Sequence, residues 1–374
     1  MKNITKKAGS LVFILVFTLS FFTPSANSGE KSYEKRNTGA AETFSSLNYT
    51  DTLYKDGAKI SSRFLELLFN KKAGAPLMLC PSGEAFGILI KEDGVTVCST
   101  ESCELEIGDK IIKIGSTPCY ESEEVYEAVR QSGGAPLKMT VIRNGNEIFV
   151  TATPKYKDGE YRLGITLRSQ SAGIGTMTFY DPHTLSFGGL GHAVSDAESG
   201  SPVSLKSGIA CNVLLGSCKK GEPGRAGELS GILGRSSLGS IARNTECGIF
   251  GKLEKSPETE RTPLPVAQKF EVKCGEAEIV STVKNGKTAT YKIEITEIDP
   301  SSQTSKSFKI KVTDPALIAL TGGIVRGMSG SPIIQDGKLV GAVTHVMVAD
   351  PTEGYGIFIE NMLSAAEMPM EKAA

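Results

Sequence analysis

The chain has 374 residues, enough for two or three domains that each bury a sizeable core. Its formal net charge of −1 and the lack of any basic block exclude nucleic-acid binding as its main task. The 41 glycines and 17 prolines, set among many short alternating apolar runs, point to a mostly β protein with tight turns.

At the N-terminus Lys2, Lys6 and Lys7 precede an apolar run over residues 11–22, broken only by Thr18 and Ser20. Such a run falls short of the roughly 20 residues that span a bilayer. Ala26 and Ser28 follow at the spacing of an A-x-A-like cleavage site. Residues 1–28 therefore read as an export signal, either removed or retained as an anchor. The chain is expected to be exported, then membrane-associated or secreted. Losing this segment removes three lysines and no acids, which takes the charge from −1 to −4. Residues 29–75 read as a linker, polar at its start through Glu30, Lys31, Glu34, Lys35 and Arg36.

Residues 76–155 contain a second set of signals. Leu105-Glu106-Ile107-Gly108-Asp109-Lys110-Ile111-Ile112-Lys113-Ile114 turns the chain at Gly108-Asp109 between an apolar anchor and a strand. A helix follows, with Ser122 as N-cap, Glu123 and Glu124 in its first turn, and Val125, Ala128 and Val129 on one face. Gly133 stops it, and Asn144-Gly145 marks a hairpin. This pattern resembles a PDZ domain. The resemblance implies that Ala85, Phe86, Gly87 and Ile88 form the loop and strand that hold a peptide's C-terminal carboxylate, by strand addition. The plainer alternative is a small β domain that only supports its neighbour.

From residue 160 to the end, half-buried antiparallel strands are expected. Tyr291, Ile293 and Ile295 alternate with Lys292, Glu294 and Thr296, and Phe308, Ile310 and Val312 alternate with Lys309 and Lys311. Asn285-Gly286 and Asp336-Gly337 supply hairpin turns. The eight cysteines include no Cys-x-x-Cys pair and no histidine at zinc-ligand spacing, so neither a metal site nor a cofactor is implied. Export would allow Cys98–Cys103 or Cys211–Cys218 bridges, and buried free thiols are an equal alternative.

The most informative window is Gly322-Gly323-Ile324-Val325-Arg326-Gly327-Met328-Ser329-Gly330-Ser331-Pro332-Ile333-Ile334. Gly327 and Gly330 remove the Cβ atoms that would forbid a tight turn around Ser329. Such a turn lets the backbone N–H groups of Gly327 and Ser329 converge, as acyl transfer needs for its oxyanion. His192 lies between small residues in Gly188-Gly189-Leu190-Gly191-His192-Ala193 and is a candidate base. Asp314 ends an alternating strand fifteen residues before Ser329 and is the candidate acid, with Asp196 as runner-up. The order His192, Asp314, Ser329 is that of chymotrypsin-like proteases, whose fold is a double β-barrel. In that fold the strand after the nucleophile hairpin walls the pocket for the residue before the scissile bond. His345, Thr344 and Gly323 are the substrate-binding candidates there. The alternative for His345 is a core histidine satisfied by a backbone carbonyl.

Several longer strings carry a closer resemblance. Ala172-Gly173-Ile174-Gly175-Thr176-Met177-Thr178-Phe179-Tyr180-Asp181-Pro182, Leu190-Gly191-His192, the Ser329 window and Gly341-Ala342-Val343-Thr344-His345-Val346 resemble the SpoIVB family of sporulation serine peptidases. The resemblance runs from about residue 76 to residue 363, and implies a PDZ domain over 76–155 followed by a peptidase domain over 160–374. It further implies a serine endopeptidase that cleaves its own N-terminal segment. Its other implied partner is a membrane-bound regulator of an intramembrane protease, cleaved to signal sigma-factor activation during sporulation. The competing class is a binding scaffold, a PDZ domain on an inactive protease-like barrel.

Overall fold

The structure, a computed structural model, describes residues 77–101, 104–196, 200–258, 261–284 and 286–367. The expected export signal and linker lie outside the described residues. A short strand β1 (Met78–Pro81) leads into the long β2 (Ala85–Thr100). The chain then makes an excursion through β3 (Lys110–Ile114), β4 (Thr117–Pro118), helix α1 (Ser122–Gln131), β5 (Leu137–Arg143), β6 (Asn146–Ala152), β7 (Lys155–Lys157) and β8 (Glu160–Arg162). It returns along β9 (Ile165–Tyr180), which runs antiparallel to β2. β10 (Ser186–Gly189), β11 (Leu205–Lys219), β12 (Gly227–Thr245) and β13 (Gly248–Leu253) complete a ring with them. β2 pairs with β9 on one edge and β11 on the other, and β12, β13 and β10 close the circuit back to β9. This is the first barrel.

β14 (Leu264–Pro265) precedes the second barrel. That barrel is built from β15 (Gly275–Lys284), β16 (Lys287–Ile298), β17 (Phe308–Val312), β19 (Pro332–Gln335), β20 (Lys338–Val346) and β21 (Glu353–Phe358). Between β17 and β19 the chain forms helix α2 (Pro315–Thr321) and β18 (Val325–Arg326), which pairs with β12 of the first barrel. A last helix, α3 (Ile359–Glu367), follows. The closed order is β15-β16-β17-β21-β20-β19. The period-2 reading of β16 holds: Tyr291, Ile293 and Ile295 are buried and Lys292, Glu294 and Thr296 exposed, because only one face of a barrel strand meets the core. Burying an isoleucine at such a position contributes about 1.5–3 kcal/mol. Asp336 and Gly337 take φ of +51° and +72° and join β19 to β20, as the hairpin signal requires. The molecule is therefore mostly β, a double β-barrel of chymotrypsin-like plan.

The excursion has its own core, in which Val95, Val97, Ile111, Val125, Met139 and Val141 pack together. The Gly108-Asp109 turn is locked by Arg143, whose Nε donates to Asp109 Oδ1 at 2.7 Å, while the Glu106 N–H donates to Asp109 Oδ2 at 2.9 Å. α1 begins where expected, but its N-cap is Glu121, one residue before Ser122. The Glu124 carboxylate accepts the Glu121 N–H at 2.9 Å. Over residues 165–169, among the described residues, β9 pairs with β2 and with no other strand. The N-terminus of α1 lies beside this stretch, where Ser169 Oγ donates to Glu121 Oε2 at 3.1 Å.

Two expectations are corrected by this topology. The boundary near residue 155 does not divide the bodies. β1 and residues 85–91 of β2 belong to the first barrel, and the excursion is inserted between two barrel strands. Nor are Ala85, Phe86, Gly87 and Ile88 a peptide-binding loop. Gly87 and Ile88 are paired with Ile174 and Gly173 on one edge and with Cys211 and Ala210 on the other, so neither edge is open there for an added strand. Phe86 is 0% exposed and meets Phe187 edge-on, with ring centroids 6.0 Å apart. An apolar strand buried on both faces produces the same string of residues as a glycine-bearing binding loop. Cys211 and Cys218, both on β11, are free thiols, and Cys103 lies outside the described residues.

Candidate active site

The barrels meet at a cleft of about 230 Å³. His192 and Asp196 line it from the first barrel, and Gly327, Ser329, Thr344 and His345 from the second.

The serine comes from the turn between β18 and β19. Met328 is fully buried in the second barrel's core and anchors the turn from below. Gly327 and Gly330 have φ of +100° and +96°, where a side chain would be strained. A Cβ on Gly330 would lie 1.9 Å from Thr176 O and 2.5 Å from Leu190 N, so the turn is wedged against the first barrel. Thr176 clasps it from that side: its N–H donates to Ser329 O at 2.9 Å and its Oγ1 to Gly327 O at 2.8 Å. From the other side the Gly330 N–H donates to Val343 O at 2.7 Å, and the Val343 N–H to Ser331 O at 2.9 Å. Ser331 Oγ donates to Met328 O at 2.7 Å across the turn. Ser329 Oγ itself donates to Thr344 O at 2.7 Å.

The histidine comes from the loop after β10. Leu190 and Gly191 both take left-handed φ, +65° and +70°, so the chain bends sharply before His192. A Cβ on Gly191 would lie 2.8 Å from Thr344 Cγ2, which shows how closely the loop approaches β20. Leucine in this conformation is strained, as residues near functional sites often are. His192 Nδ1 lies 2.7 Å from Ala193 O. A carbonyl only accepts, so Nδ1 carries the proton and the lone pair is on Nε2. Burial lowers the His192 pKa below the usual imidazole value, against the opposing pull of the Ala193 carbonyl.

His345, on β20, packs against His192 with ring centroids 4.9 Å apart and planes inclined by 39°. Its Nδ1 is buried without a hydrogen-bond partner. Burial first, then the neighbouring His192 and Lys306, pushes its pKa down to about 3. The imidazole is therefore neutral at any working pH. The structure thus rejects the carbonyl-satisfied alternative and brings His345 to the cleft. Thr344 also lines the cleft, but its Oγ1 is committed to Ser305 O at 2.7 Å, and its carbonyl serves Ser329.

Asp314 is not part of this cluster. Its Oδ1 accepts the N–H groups of Ala316 at 2.8 Å and Leu317 at 3.1 Å, and Oδ2 accepts that of Lys292 at 3.2 Å. It is the N-cap of α2, with Pro315 at the first helical position. Burial is the largest single influence and raises its pKa, but the three backbone hydrogen bonds and the nearby Lys292 charge together outweigh it and hold the carboxyl below the ordinary carboxylate value. The Asp-Pro pair after a strand was a cap signal, and chain order alone made it look like a triad acid. Asp196 does reach the cleft, with its carboxylate paired to Arg168. Gly323 does not line the cleft; a Cβ there would lie 2.1 Å from Pro351 O, so its role is close backbone packing. Thr176 and Arg168 were not legible as site residues, since neither stands in a local pattern that points to the cleft.

The chain matches the SpoIVB peptidase S55 family over residues 159–363. A stretch of 70 residues is 36% identical to LL2128 of Lactococcus lactis subsp. lactis, a protein named for a zinc metalloprotease; the match takes in 19% of this chain and only 16% of that one. Among solved structures, the active form of the Rv3671c protease from M. tuberculosis is similar over 53% of this chain and 76% of its own, with 12% identity and a TM-score of 0.33. The inactive form of the same protease gives 52%, 85%, 12% and 0.29. These scores are low, and the fold rests on the strand pairing described above. The family match covers more than half of the chain and contains Ser329, His192 and His345: the chain belongs to the SpoIVB peptidase S55 family and is a serine peptidase.

Proposed function

We propose that Ser329 is the nucleophile and His192 the general base of an endopeptidase. The observation that carries this is the meeting of the two residues, from different barrels, in one cleft. Ser329 Oγ attacks the scissile carbonyl and gives its proton to His192 Nε2, which later protonates the leaving amine. The Ala193 carbonyl holds Nδ1–H and so fixes the productive tautomer, the task a carboxylate performs in Ser-His-Asp sites. In the resting arrangement the Ser329 proton is spent on Thr344 O, so the hydroxyl turns towards His192 before attack. The N–H groups of Gly327 and Ser329 are the donors for the oxyanion. His345, half-buried and neutral, with a buried Nδ1 that has no hydrogen-bond partner, reads a polar substrate side chain next to the scissile bond.

The finer reading is that the enzyme cleaves its own N-terminal segment and a membrane-bound regulator of an intramembrane protease during sporulation. Family membership supports it. A peptide-binding, PDZ-like role for the excursion is supported by the edge of β9 over residues 165–169, which is paired on one side among the described residues. This replaces the site first expected at residues 85–88.

The test is active-site labelling of the full chain with a fluorophosphonate, alongside hydrolysis of a peptide library and N-terminal sequencing of the protein's own products. Labelling at Ser329, and new N-termini between residues 29 and 74 that vanish in Ser329→Ala, are expected. Absence of labelling with an intact fold would leave the scaffold reading standing.

A further inference from the structure

Three charged side chains meet where β2 and β9 leave the first barrel for the excursion. The pairing slips there: Lys91 faces Gln170 and Thr96 faces Arg168, so β2 takes five steps where β9 takes two. Glu92 lies in this bulge, 2% exposed. Its carboxylate accepts Arg168 Nε at 2.9 Å, Ser171 Oγ at 2.9 Å and Thr96 Oγ1 at 3.0 Å. The other arm of the Arg168 guanidinium reaches out of the sheet and pairs with Asp196.

Asp196 belongs to the hairpin that follows His192. The hairpin's stems are joined at Ser195 and Pro202, and the Val203 N–H donates to Val194 O at 2.9 Å. Near its base Asn244 Oδ1 accepts the Val194 N–H at 2.8 Å, and Asn244 Nδ2 donates to Val194 O at 2.8 Å. Beyond that point, the Arg168–Asp196 pair ties the hairpin to the sheet. The side chains of Arg168 and Asp196 are 26% and 13% exposed, so the pair is largely shielded from solvent. A mostly buried ion triad is a poor source of net stability, because desolvation offsets the attraction. What such a triad supplies is a fixed geometry, here between the root of the excursion and the loop that carries the base.

We propose that Arg168 is a positioning residue. Through Asp196 it aligns the His192 hairpin, and through Glu92 it takes its own position from the root of the excursion, so that alignment of the base depends on how the excursion is seated. This inference rests on the assignment of His192 and Ser329. Arg168 also lies within the stretch of β9, residues 165–169, that is paired on one side among the described residues, so a peptide bound along that edge would meet the strut directly.

The experiment is a double-mutant cycle in the full chain with Arg168→Met, Asp196→Asn and the double variant. Three quantities are read: the rate of fluorophosphonate reaction at Ser329, kcat and KM for a peptide substrate, and hydrogen exchange at the amides of Val194, Asp196 and Val203. Each single variant is expected to slow labelling by about 10- to 100-fold, a loss of alignment comparable to small misplacements of catalytic groups. The double variant should be no slower than the worse single one. The loss should fall on kcat, and exchange should rise at the three hairpin amides and not across the barrels. Additive losses, or an unchanged rate in Asp196→Asn, overturn the proposal. Asp196→Asn tests the link even if Arg168→Met fails to fold, because it leaves the Glu92–Arg168 pair in place. A loss in Asp196→Asn exceeding that in Arg168→Met by about a thousandfold or more overturns it differently, by making Asp196 a direct partner of His192. Wild-type protein that does not label at Ser329 would instead end the reading of the site on which the inference rests.

Discussion

Ser329 and His192 are held in the cleft by different means. The serine turn is seated on a fully buried Met328, and the Gly330 amide is bonded to β20. Thr176 clasps the turn from the opposite barrel, and the space at Gly330 cannot hold even a methyl group. The histidine rides on a loop that bends through a strained leucine, takes its tautomer from its own neighbour's carbonyl, and leads into a hairpin held by polar contacts that include those of Asn244 and the Arg168–Asp196 ion pair. Preorganisation is thus built into packing on the serine side and into a few polar contacts on the histidine side. Packing responds to substitution by breaking, whereas polar contacts permit graded adjustment. In this protein the nucleophile is the fixed partner and the base the adjustable one.

The largest expected effect lies at the serine. Ser329→Ala should fold normally, since it gives up one hydrogen bond. It should lose on the order of 10⁶ in kcat, the size of loss that follows removal of the nucleophile in subtilisin. Turnover by Ser329→Ala near that of the wild type would remove Ser329 from the mechanism. Next comes Gly330→Ala, which breaks the serine side by packing alone. The added methyl would meet Thr176 O at a positive φ of +96°, so a loss of about 4 kcal/mol or more in unfolding free energy is expected. A Gly330→Ala protein with wild-type melting behaviour and labelling would show that the turn is less constrained than its packing indicates.

The histidine side should declare itself through pH. His192 must be neutral to accept a proton, and burial moves its pKa below the ordinary value near 6.5. Activity should therefore persist somewhat below pH 6.5 and fall at more acid pH; an acid limb at or above pH 7 would contradict the buried base. Stability follows the same sign. His345 has a folded pKa of about 3, below the unfolded value, so its contribution is fully present above about pH 6.5 and is lost as pH falls towards 3. His345→Gln should flatten that part of a denaturant-midpoint profile against pH. A smaller effect is expected on selectivity: His345→Ala should cost about 1–3 kcal/mol in kcat/KM for the preferred residue before the scissile bond. Reaction with a small fluorophosphonate should change little. An unchanged selectivity profile would make the histidine pair a packing feature.

The two sides also differed in how far the sequence exposed them. The serine turn was legible because its constraint is local: two glycines at fixed distances from Ser329 and a hairpin signal at Asp336-Gly337. The barrel strands were legible for the same reason, since one buried face imposes a period of two, as in β16. The histidine side depends on long-range contacts. Arg168 and Asn244 come from strands distant in sequence from the residues they hold, and no local pattern announces such partners. Thr176, which clasps the serine turn from the other barrel, was hidden for the same reason. Ala85–Ile88 misled because a strand buried on both faces and a glycine-bearing binding loop share the same residues; the burial of Phe86 and the pairing of Gly87 and Ile88 on both edges separate them. Asp314 misled because spacing from a nucleophile carries no information about which way a carboxylate faces.

Asp314 gives the smallest expected effect, and the one that separates the structural assignment most cleanly from chain order. As a triad acid it would hold His192 in the right tautomer, and Asp314→Asn would slow hydrolysis by roughly 10⁴. As the N-cap of α2 it has a different use. Oδ1 accepts two amides at the helix start, and an asparagine carbonyl at the same place accepts them equally well. Only the longer contact from the Lys292 N–H to Oδ2 would be lost, together with the favourable charge at a short helix's N-terminus. Asp314→Asn should therefore keep kcat within about twofold of wild type, a change of roughly 0.5 kcal/mol or less in the barrier. Asp314→Ala, which removes both acceptors, should cost about 1 kcal/mol in unfolding free energy and still label at Ser329. The measurement is labelling rate and melting temperature for the two variants side by side. A collapse of labelling in Asp314→Asn with an unchanged melting temperature would mean that the working enzyme brings Asp314 to His192, in an arrangement in which it no longer caps α2.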